Sequence, residues 1–229
     1  MKKIASACLL VMFCFMTSAQ ISKKEIESNL VSIYETSNRE KEIIRKNRIG
    51  KYDDDKLKSL SDSEKKALEV KWEKDYILYL QDIKPLNTQR LQQLQNLIVT
   101  IEKSRPLIGR RKIQGGAAKS EVKEYEITED GVKIRSASSV EINELRKAFS
   151  DAFRTDFIDS EEGILRSSIT LIVDTDGSLK NLKAKGSNEE FNALVIIILY
   201  SLDKKMKPSE DGDDYVPTRY QLPVAMNFE

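Results

Sequence analysis

Apolar side chains recur at two different spacings along the chain, and the change of spacing divides it in two. Between residues 22 and 105 they lie three or four positions apart, the spacing of a helix that buries one face. Between residues 169 and 184 they fall at every second position, the spacing of a half-buried strand. The pattern predicts an α+β chain, with an antiparallel helical bundle followed by a small antiparallel sheet packed on two helices.

Capping and helix-breaking residues predict where the helices of the first half begin and end. Ser22 with Glu25 and Ser61 with Glu64 have the spacing of the capping box, which opens a helix. Pro85 lacks an amide hydrogen, so we expect it to end the second helix and a third helix to follow. The third helix carries a coiled-coil-like seam formed by Leu91, Leu94, Ile98 and Ile101. We therefore expect two or three antiparallel helices.

The alternating stretch 169–184 predicts a β-hairpin, and the Asp-Thr-Asp-Gly at its centre raises the question of a metal site. An EF-hand calcium loop counted from Asp174 needs Gly at its sixth position and Glu at its twelfth. Those positions hold Leu179 and Lys185. A tight turn needs residues that tolerate positive φ, which Gly177 does at least cost. We expect a hairpin tip and no bound metal.

An apolar run follows at residues 194–202, and by itself it suits a buried strand or a helix equally. Ser187 and Glu190 ahead of it have the capping-box spacing and favour a helix, which we expect to reach about residue 205. The side chains expected to face the sheet are Phe191, Leu194, Val195, Ile198, Leu202 and Met206. The chain then ends in a strand whose Pro223 assigns it to a sheet edge or a bulge.

The two halves are joined by a stretch without periodicity. Residues 105–120 contain Pro, Gly-Gly and several basic side chains, and predict a linker. The expected organisation is a leader at 1–19, the helical bundle at 20–104, the linker at 105–120 and the sheet domain at 121–229.

The first residues have the pattern of an export signal. Lys2 and Lys3 precede an apolar run at residues 4–16, and small residues follow at 17–19. The run falls short of the roughly 20 apolar residues that span a bilayer, so we expect cleavage after Ala19. The mature chain is then periplasmic or secreted, without a membrane span.

The amino-acid composition excludes most of the common types of catalytic site. The chain has no histidine, and its two cysteines, Cys8 and Cys14, lie in the leader. This excludes Ser-His-Asp and Cys-His catalysis, the usual His/Cys zinc sites and a disulfide in the mature chain. The Ser-x-x-Lys spacing of a serine–lysine pair has no supporting motif, and we read its occurrences as helix caps or surface: Ser63/Lys66, Ser120/Lys123 and Ser201/Lys204.

Neither the charge balance nor any motif of the chain predicts a nucleic-acid or cofactor ligand. The chain contains 38 basic and 37 acidic residues, a balance that gives no basis for binding nucleic acid. We expect no enzymatic activity, no cofactor and a protein partner.

Residues 141–228 resemble the TonB C-terminal domain. The resemblance rests on the order and spacing of four pieces, at residues 173–179 (VDTDGSL), 191–199, 207–208 (Lys-Pro) and 222–228 (LPVAMNF). The chain departs from the family at Met206, where an aromatic residue is usual, and around Phe157, where an aromatic-Pro pair is missing. The membrane anchor and Pro-rich spacer of an energy-transducing TonB are also absent.

The resemblance implies a fold and a mode of binding. In the family this domain binds a short extended segment of outer-membrane transporters by strand addition. It also implies that the closing strand pairs with the first hairpin strand, which leaves the other side of the closing strand open. The partner-binding residues expected along that edge are Thr218, Arg219, Tyr220, Gln221, Val224, Ala225 and Asn227. Val224, Met226 and Phe228 are expected to fill the core as well.

Three other interpretations remain at this stage. The helical half carries the interaction in a structural or scaffolding protein, or the chain is an anchored TonB homologue that energises outer-membrane transport. A carboxylate-based hydrolase is the last, because Asp174/Asp176 and Glu161/Glu162 are neighbours in turns and loops with no group identified to oppose them.

Overall fold

The structure is a computed structural model, and it describes residues 20–52, 60–109, 111–112, 125–127, 133–136, 143–154, 157–158, 163–202 and 204–228. The expected leader and the Glu161/Glu162 pair lie outside these residues. So does Asp130-Gly131, a pair whose sequence is typical of a hairpin turn. The helices are α1 (Lys23–Arg48), α2 (Asp62–Ser104), α3 (Asn143–Ala152) and α4 (Glu189–Ser201). The strands are β1 (Arg111–Lys112), β2 (Tyr125–Ile127), β3 (Lys133–Ser136), β4 (Gly163–Val173), β5 (Leu179–Gly186), β6 (Ser209–Asp211), β7 (Asp214–Val216) and β8 (Thr218–Phe228). The α+β prediction is confirmed.

The two long helices α1 and α2 form an antiparallel hairpin. The predicted starts are correct: the Ser22 hydroxyl accepts the Glu25 amide at 3.2 Å, and the Glu64 carboxylate accepts the Ser61 amide at 2.9 Å. Ion pairs join the far end of the hairpin, such as Arg48 Nε to an Asp82 oxygen at 2.6 Å. The buried seam of α2 contributes Leu94, Leu97 and Ile101.

The prediction that Pro85 ends a helix is wrong, because α2 continues through it to Ser104. A proline inside a helix costs about 3 kcal/mol, since it removes one hydrogen bond and crowds the preceding turn. Contacts on both sides of Pro85 offset that cost. Lys51 of the connecting loop pairs with Asp75 at 2.8 Å before it, and the buried Leu94 packs in the core after it.

A five-stranded sheet has the order β2-β3-β8-β4-β5. The predicted hairpin is β4 and β5, and the closing strand β8 pairs antiparallel with β4 over its whole length, from Thr218 opposite Val173 to Phe228 opposite Gly163. The expected pairing of the closing strand with the first hairpin strand is therefore confirmed. The pairing of β3 with β8 is parallel, so the sheet is not purely antiparallel.

The helix α4 lies between the sheet and the helical hairpin. Its N-cap is Asn188, whose side chain accepts the Phe191 amide at 2.8 Å, rather than the expected Ser187. It ends at Ser201, four residues before the expected end, because Leu202 is extended and the chain turns back. All its residues from Ala193 to Ser201 are buried, not the expected single face. A helix that is apolar all round is covered on more than one side.

The expected linker is partly structured, and a second sheet was not anticipated. Lys112 of β1 pairs with β7, and β6 and β7 form a hairpin around Gly212, which has φ 62°. The Asp211-Gly212 pair is a sequence signal for such a turn. The order of this second sheet is β1-β7-β6.

The helical hairpin and the sheet share one hydrophobic cluster. The buried Leu30 of α1, Ile197 of α4 and Ile169 of β4 all belong to it. None of the helices in the described part of the chain combines the length and apolar composition that a bilayer span requires.

Candidate strand-addition edge

Strand β8 presents alternate side chains to the core and to solvent. Tyr220, Leu222 and Val224 are buried against the core, whereas Gln221 and Ala225 are exposed on the opposite face. The alternation fixes the register, because a shift by one residue would expose the apolar set. Met226 packs partly buried against the same cluster, and the Phe228 side chain lies outside the description.

One end of the expected edge is already occupied. Strand β3 runs parallel beside β8 and pairs Arg135 with Thr218 and Ser136 with Arg219. The expectation that the outer side is open along all of Thr218 to Phe228 is therefore wrong for the first two residues. Within the part of the chain that the structure describes, the pairings from Tyr220 onward are with β4.

Pro223 shows which backbone groups point away from β4. It lies opposite Ser168 in a register that continues without a bulge to both sides. A proline in a strand faces its nitrogen away from a neighbouring strand, since it has no hydrogen to donate. Backbone groups alternate sides with a period of two, as side chains do. Gln221 and Ala225, two positions either side of Pro223, therefore direct their N–H and C=O groups outward.

The structure thus divides the seven predicted edge residues into three groups. Thr218 and Arg219 have β3 beside them. Tyr220 and Val224 contribute buried side chains, at 3% and 7% exposure, so only their backbones border the edge. The residues exposed on the solvent face beyond β3 are Gln221, Ala225 and Asn227.

The opposite edge of the sheet, the outward side of β5, has three features that discourage strand addition. Lys183 and Lys185 are exposed along it, and Asn181 adopts a left-handed backbone with φ 48°. The register with β4 shifts between Thr170 and Ile172. Lysines and bulges are the usual means by which proteins protect a sheet edge.

The carboxylates of the hairpin tip accept hydrogen bonds from backbone amides. Asp174 is fully buried, and it accepts the amides of Ile108 at 2.6 Å and Gly109 at 3.3 Å, as well as its neighbour Thr175 at 2.8 Å. It thereby ties the chain that follows α2 to the β4–β5 turn. Lys180 makes a second tie, since its ammonium donates to the carbonyl of Pro106 at 2.9 Å. Burial lowers the pKa of Lys180.

The second carboxylate, Asp176, shapes the turn itself. It accepts the Ser178 amide at 3.0 Å and the Ser178 hydroxyl. Burial raises the pKa of Asp176, but the bonds from Ser178 and the positive charges of Lys180 and Lys205 together hold the pKa below its usual range. Gly177 between them has φ 79°, as the turn requires. No group of three metal-ligating side chains occurs among the residues that the structure describes.

In two of the Ser-x-x-Lys pairs the serine hydroxyl makes a local contact within its own helix. The Ser201 hydroxyl donates to the carbonyl of Ile198 at 2.8 Å, while Lys204 pairs with Glu144 at 2.8 Å. Ser63 lies in the first turn of α2 with its hydroxyl 3.3 Å from that of the N-cap residue, Ser61. The Ser120/Lys123 pair lies outside the described residues.

Sequence analysis missed a buried polar network between the two halves. Arg90 of α2 is only 2% exposed and pairs with Glu190 of α4 at 2.9 Å. The Tyr34 hydroxyl of α1 donates to the other Glu190 oxygen at 2.6 Å, and the Arg90 guanidinium lies over the Tyr34 ring. An arginine within an otherwise apolar helical seam is the one sequence signal that pointed to it.

The first half of α2 carries a row of aromatic side chains, Trp72, Tyr76 and Tyr79. The rings of Trp72 and Tyr76 stack with centroids 4.9 Å apart, and Tyr79 follows at 5.9 Å. Trp72 and Tyr76 are 39% and 36% exposed.

No protein-family model, no curated protein and no solved structure matches the chain.

Proposed function

We propose that this chain is an exported, non-catalytic protein that binds an extended segment of a protein partner by adding it as a strand along β8. The observation that carries the proposal is the unequal cover of β8, which pairs with β4 over its full length but, among the described residues, with β3 at Thr218 and Arg219 only. A strand beside Gln221 to Ala225 would continue the sheet from the end of β3. Backbone hydrogen bonds then supply affinity, and alternate side chains supply specificity.

The class of partner follows from the resemblance to the TonB C-terminal domain. The sheet order β8-β4-β5 and the helix α4 between β5 and β8 are consistent with that resemblance. A periplasmic segment of an outer-membrane transporter is the partner that it implies. Energy transduction is not part of the proposal.

The non-catalytic part of the proposal rests on composition. The chain has no histidine, and Cys8 and Cys14 lie in the expected leader. The remaining carboxylates at the hairpin tip are engaged by backbone amides, as Asp174 is by Ile108 and Gly109.

Strand addition can be tested by NMR titration of the mature chain with synthetic peptides from the periplasmic plug segments of outer-membrane transporters. We expect the amide signals of Gln221 and Ala225 to shift on binding. Ala225→Pro removes an outward amide and should weaken binding about tenfold, the loss of roughly 1.4 kcal/mol. Ala225→Ser keeps the amide and is the matched control.

The location of the protein is tested separately. If residues 1–19 are a signal peptide, the mature chain begins at Gln20 and is released by osmotic shock. Intact Met1 in an inner-membrane fraction would instead support the anchored TonB homologue. Either result is read by N-terminal sequencing of the fractionated protein.

A second candidate is a scaffolding protein whose helical half binds the partner. The exposed stacked rings of Trp72 and Tyr76 favour it, because aromatic side chains are enriched at protein interfaces. In the same titration, shifts confined to α2 around Tyr76 would replace strand addition with this function.

A further inference from the structure

Residues 62–80 of α2 form an arm that the hydrophobic core does not cover. The last residue of α1, Arg48, pairs with Asp82 of α2, so α1 ends near the C-terminal end of the arm. No residue of the described stretch 62–80 is buried, and α2 contributes to the core only from Leu91 onward. The stability of the arm therefore does not account for the apolar side chains that it carries.

The arm holds a concentration of exposed apolar side chains. Of the nine exposed large hydrophobic side chains in the described part of the chain, five lie within residues 70–80. They are Val70, Trp72, Tyr76, Ile77 and Leu80. Trp72, Tyr76 and Leu80 recur at every fourth position and so share one helix face. A contiguous exposed apolar patch on a folded protein marks an interaction surface.

Two carboxylates flank the rings on this face. Glu69 lies three positions before Trp72, and Glu73 lies three positions before Tyr76, a spacing that makes side chains neighbours on a helix. Both glutamates are exposed, and no basic group among the described residues forms an ion pair with either of them. Asp75 of the same arm, by contrast, is paired with the loop that follows α1. Glu69 and Glu73 also lie four positions apart, where like charges destabilise a helix.

The lysines of the arm do not neutralise this pair of glutamates. Lys71 and Lys74 lie one or two positions from the rings, and residues at that spacing do not face each other on a helix. Lys65 and Lys66 come one turn before Glu69, and neither forms an ion pair with it. The face therefore combines aromatic rings with uncompensated negative charge. Both features attract a cation, because a lysine or arginine within about 6 Å of an aromatic ring is drawn to the face of that ring.

From these features we infer that the arm binds an amphipathic segment of a partner protein that carries basic side chains beside apolar ones. The apolar side chains pack on Trp72, Tyr76 and Leu80, while the basic side chains meet Glu69 and Glu73. Arginine suits this surface best, since its guanidinium stacks on rings as well as pairing with carboxylates. The inference names a class of partner for the helical half, and it is independent of strand addition along β8.

The test uses the fluorescence of Trp72, which is the only tryptophan of the chain and so reports on the arm alone. The mature chain is titrated with three helical peptides of equal length that contain leucine, alanine and either arginine, glutamine or glutamate. The arginine peptide should change the fluorescence saturably, and the glutamine and glutamate peptides should bind at least about tenfold more weakly. Added salt should weaken the arginine peptide, because exposed charges are screened.

Charge variants separate this face from a general attraction for basic peptides. The double variant Glu69→Gln/Glu73→Gln should weaken the arginine peptide about fivefold, through the loss of two exposed ion pairs. Glu35→Gln/Glu40→Gln is the matched control, because both glutamates are exposed on α1, away from the rings. The melting temperature shows whether each variant is folded.

A ring variant tests the apolar part of the surface. Trp72→Ala should weaken the arginine peptide at least about tenfold, as measured by calorimetry because the variant lacks the fluorescent reporter. Val99→Ala is its control, since Val99 is exposed on the same helix outside the arm. Equal binding of the arginine and glutamine peptides, equal losses in the two double variants, or unaltered binding by Trp72→Ala would overturn the inference.

Discussion

The strands β5 and β8 lie on opposite sides of β4, and their outward sides differ in charge and in backbone regularity. Along β5, Lys183, Lys185 and the left-handed Asn181 combine charge with a local distortion. Along β8 beyond β3, the exposed solvent-face positions are uncharged, as at Gln221 and Ala225, and Pro223 interrupts the outward amides once. Exposed edges recruit strands unless they are protected, and among the described residues charge and distortion protect the outward side of β5 more than that of β8.

The same two strands also differ in how they are held. The start of β5 is tied to the chain after α2 through Asp174 and Lys180, whose partners are Ile108, Gly109 and Pro106. Its turn is joined to the segment after α4, because the Met206 amide donates to the Gly177 carbonyl at 2.8 Å. Strand β8 is held by β4 along one side and by the burial of its inward side chains. Among the described residues, β5 is held at its turn by distant segments, whereas β8 is held through its pairing with β4 and, at Thr218 and Arg219, with β3.

The largest effect is expected where the β5 turn is closed most tightly. A Cβ at Gly177 would lie 2.3 Å from the Met206 carbonyl oxygen, and φ there is 79°. Gly177→Val should destabilise the protein by about 3 kcal/mol or more, from steric overlap and backbone strain together. Urea denaturation measures the change in the free energy of unfolding.

Gly163→Ala is the control for that variant. Gly163 also has positive φ, at 127°, but a Cβ there would meet no atom within 4 Å. Gly163→Ala therefore introduces backbone strain at a positive φ without a steric overlap. Equal losses at the two positions would show that contact with Met206 does not hold the turn.

A smaller effect is expected at the tie between the turn and the chain after α2. Asp174→Asn removes the charge that accepts the Ile108 and Gly109 amides, and should lower the free energy of unfolding by about 2 kcal/mol.

Thermal melts with calcium or with chelator should coincide, in the parent and in the Asp174→Asn/Asp176→Asn double variant. A calcium-dependent rise of several degrees in the parent alone would restore the metal-loop interpretation.

The difference between the two edges can be reversed by exchange of side chains. Ala225→Lys should weaken peptide binding about tenfold, while its effect on stability stays within about 0.5 kcal/mol.

Removing charge from β5 with Lys183→Gln and Lys185→Gln should promote self-association, which sedimentation measures as concentration increases. If the β5 variant stays monomeric, the lysines are not what protects that edge.

The smallest effect concerns pH. Burial raises the pKa of Asp176, but Ser178 together with the charges of Lys180 and Lys205 holds it below its usual 3.8. A lowered pKa in the folded state means that the stabilisation is present above pH 3.8 and is lost as pH falls through the folded pKa. The melting-temperature difference between the parent and Asp176→Asn should shrink on acidification in that range. A difference that grows instead would mean that the carboxylate is destabilising.

Local patterns predicted the β4–β5 hairpin and the starts of α1 and α2 well, because each depends on neighbours in sequence. The spacing of Ile169, Leu171 and Val173 defined β4, and Ser61 with Glu64 defined the start of α2. Such signals come from backbone periodicity and capping, which act within one turn or one strand.

Features set by distant contacts were not predictable in the same way. The helix α2 continues through Pro85 because segments distant in sequence contact it on both sides of the proline. The occupation of Thr218 and Arg219 by β3 depends on a pairing between segments more than 80 residues apart, and no local pattern records it. The buried position of Arg90 likewise follows from Glu190, which lies 100 residues away.

The complete burial of α4 has a consequence for how the protein unfolds. Ile197 on this helix is fully buried within a cluster that includes Leu30 of the hairpin and Ile169 of the sheet. Neither neighbour can leave without exposing this apolar surface to water, and that exposure carries a free-energy cost proportional to its area. The two halves should therefore melt as one cooperative unit, with the calorimetric enthalpy equal to the van't Hoff enthalpy.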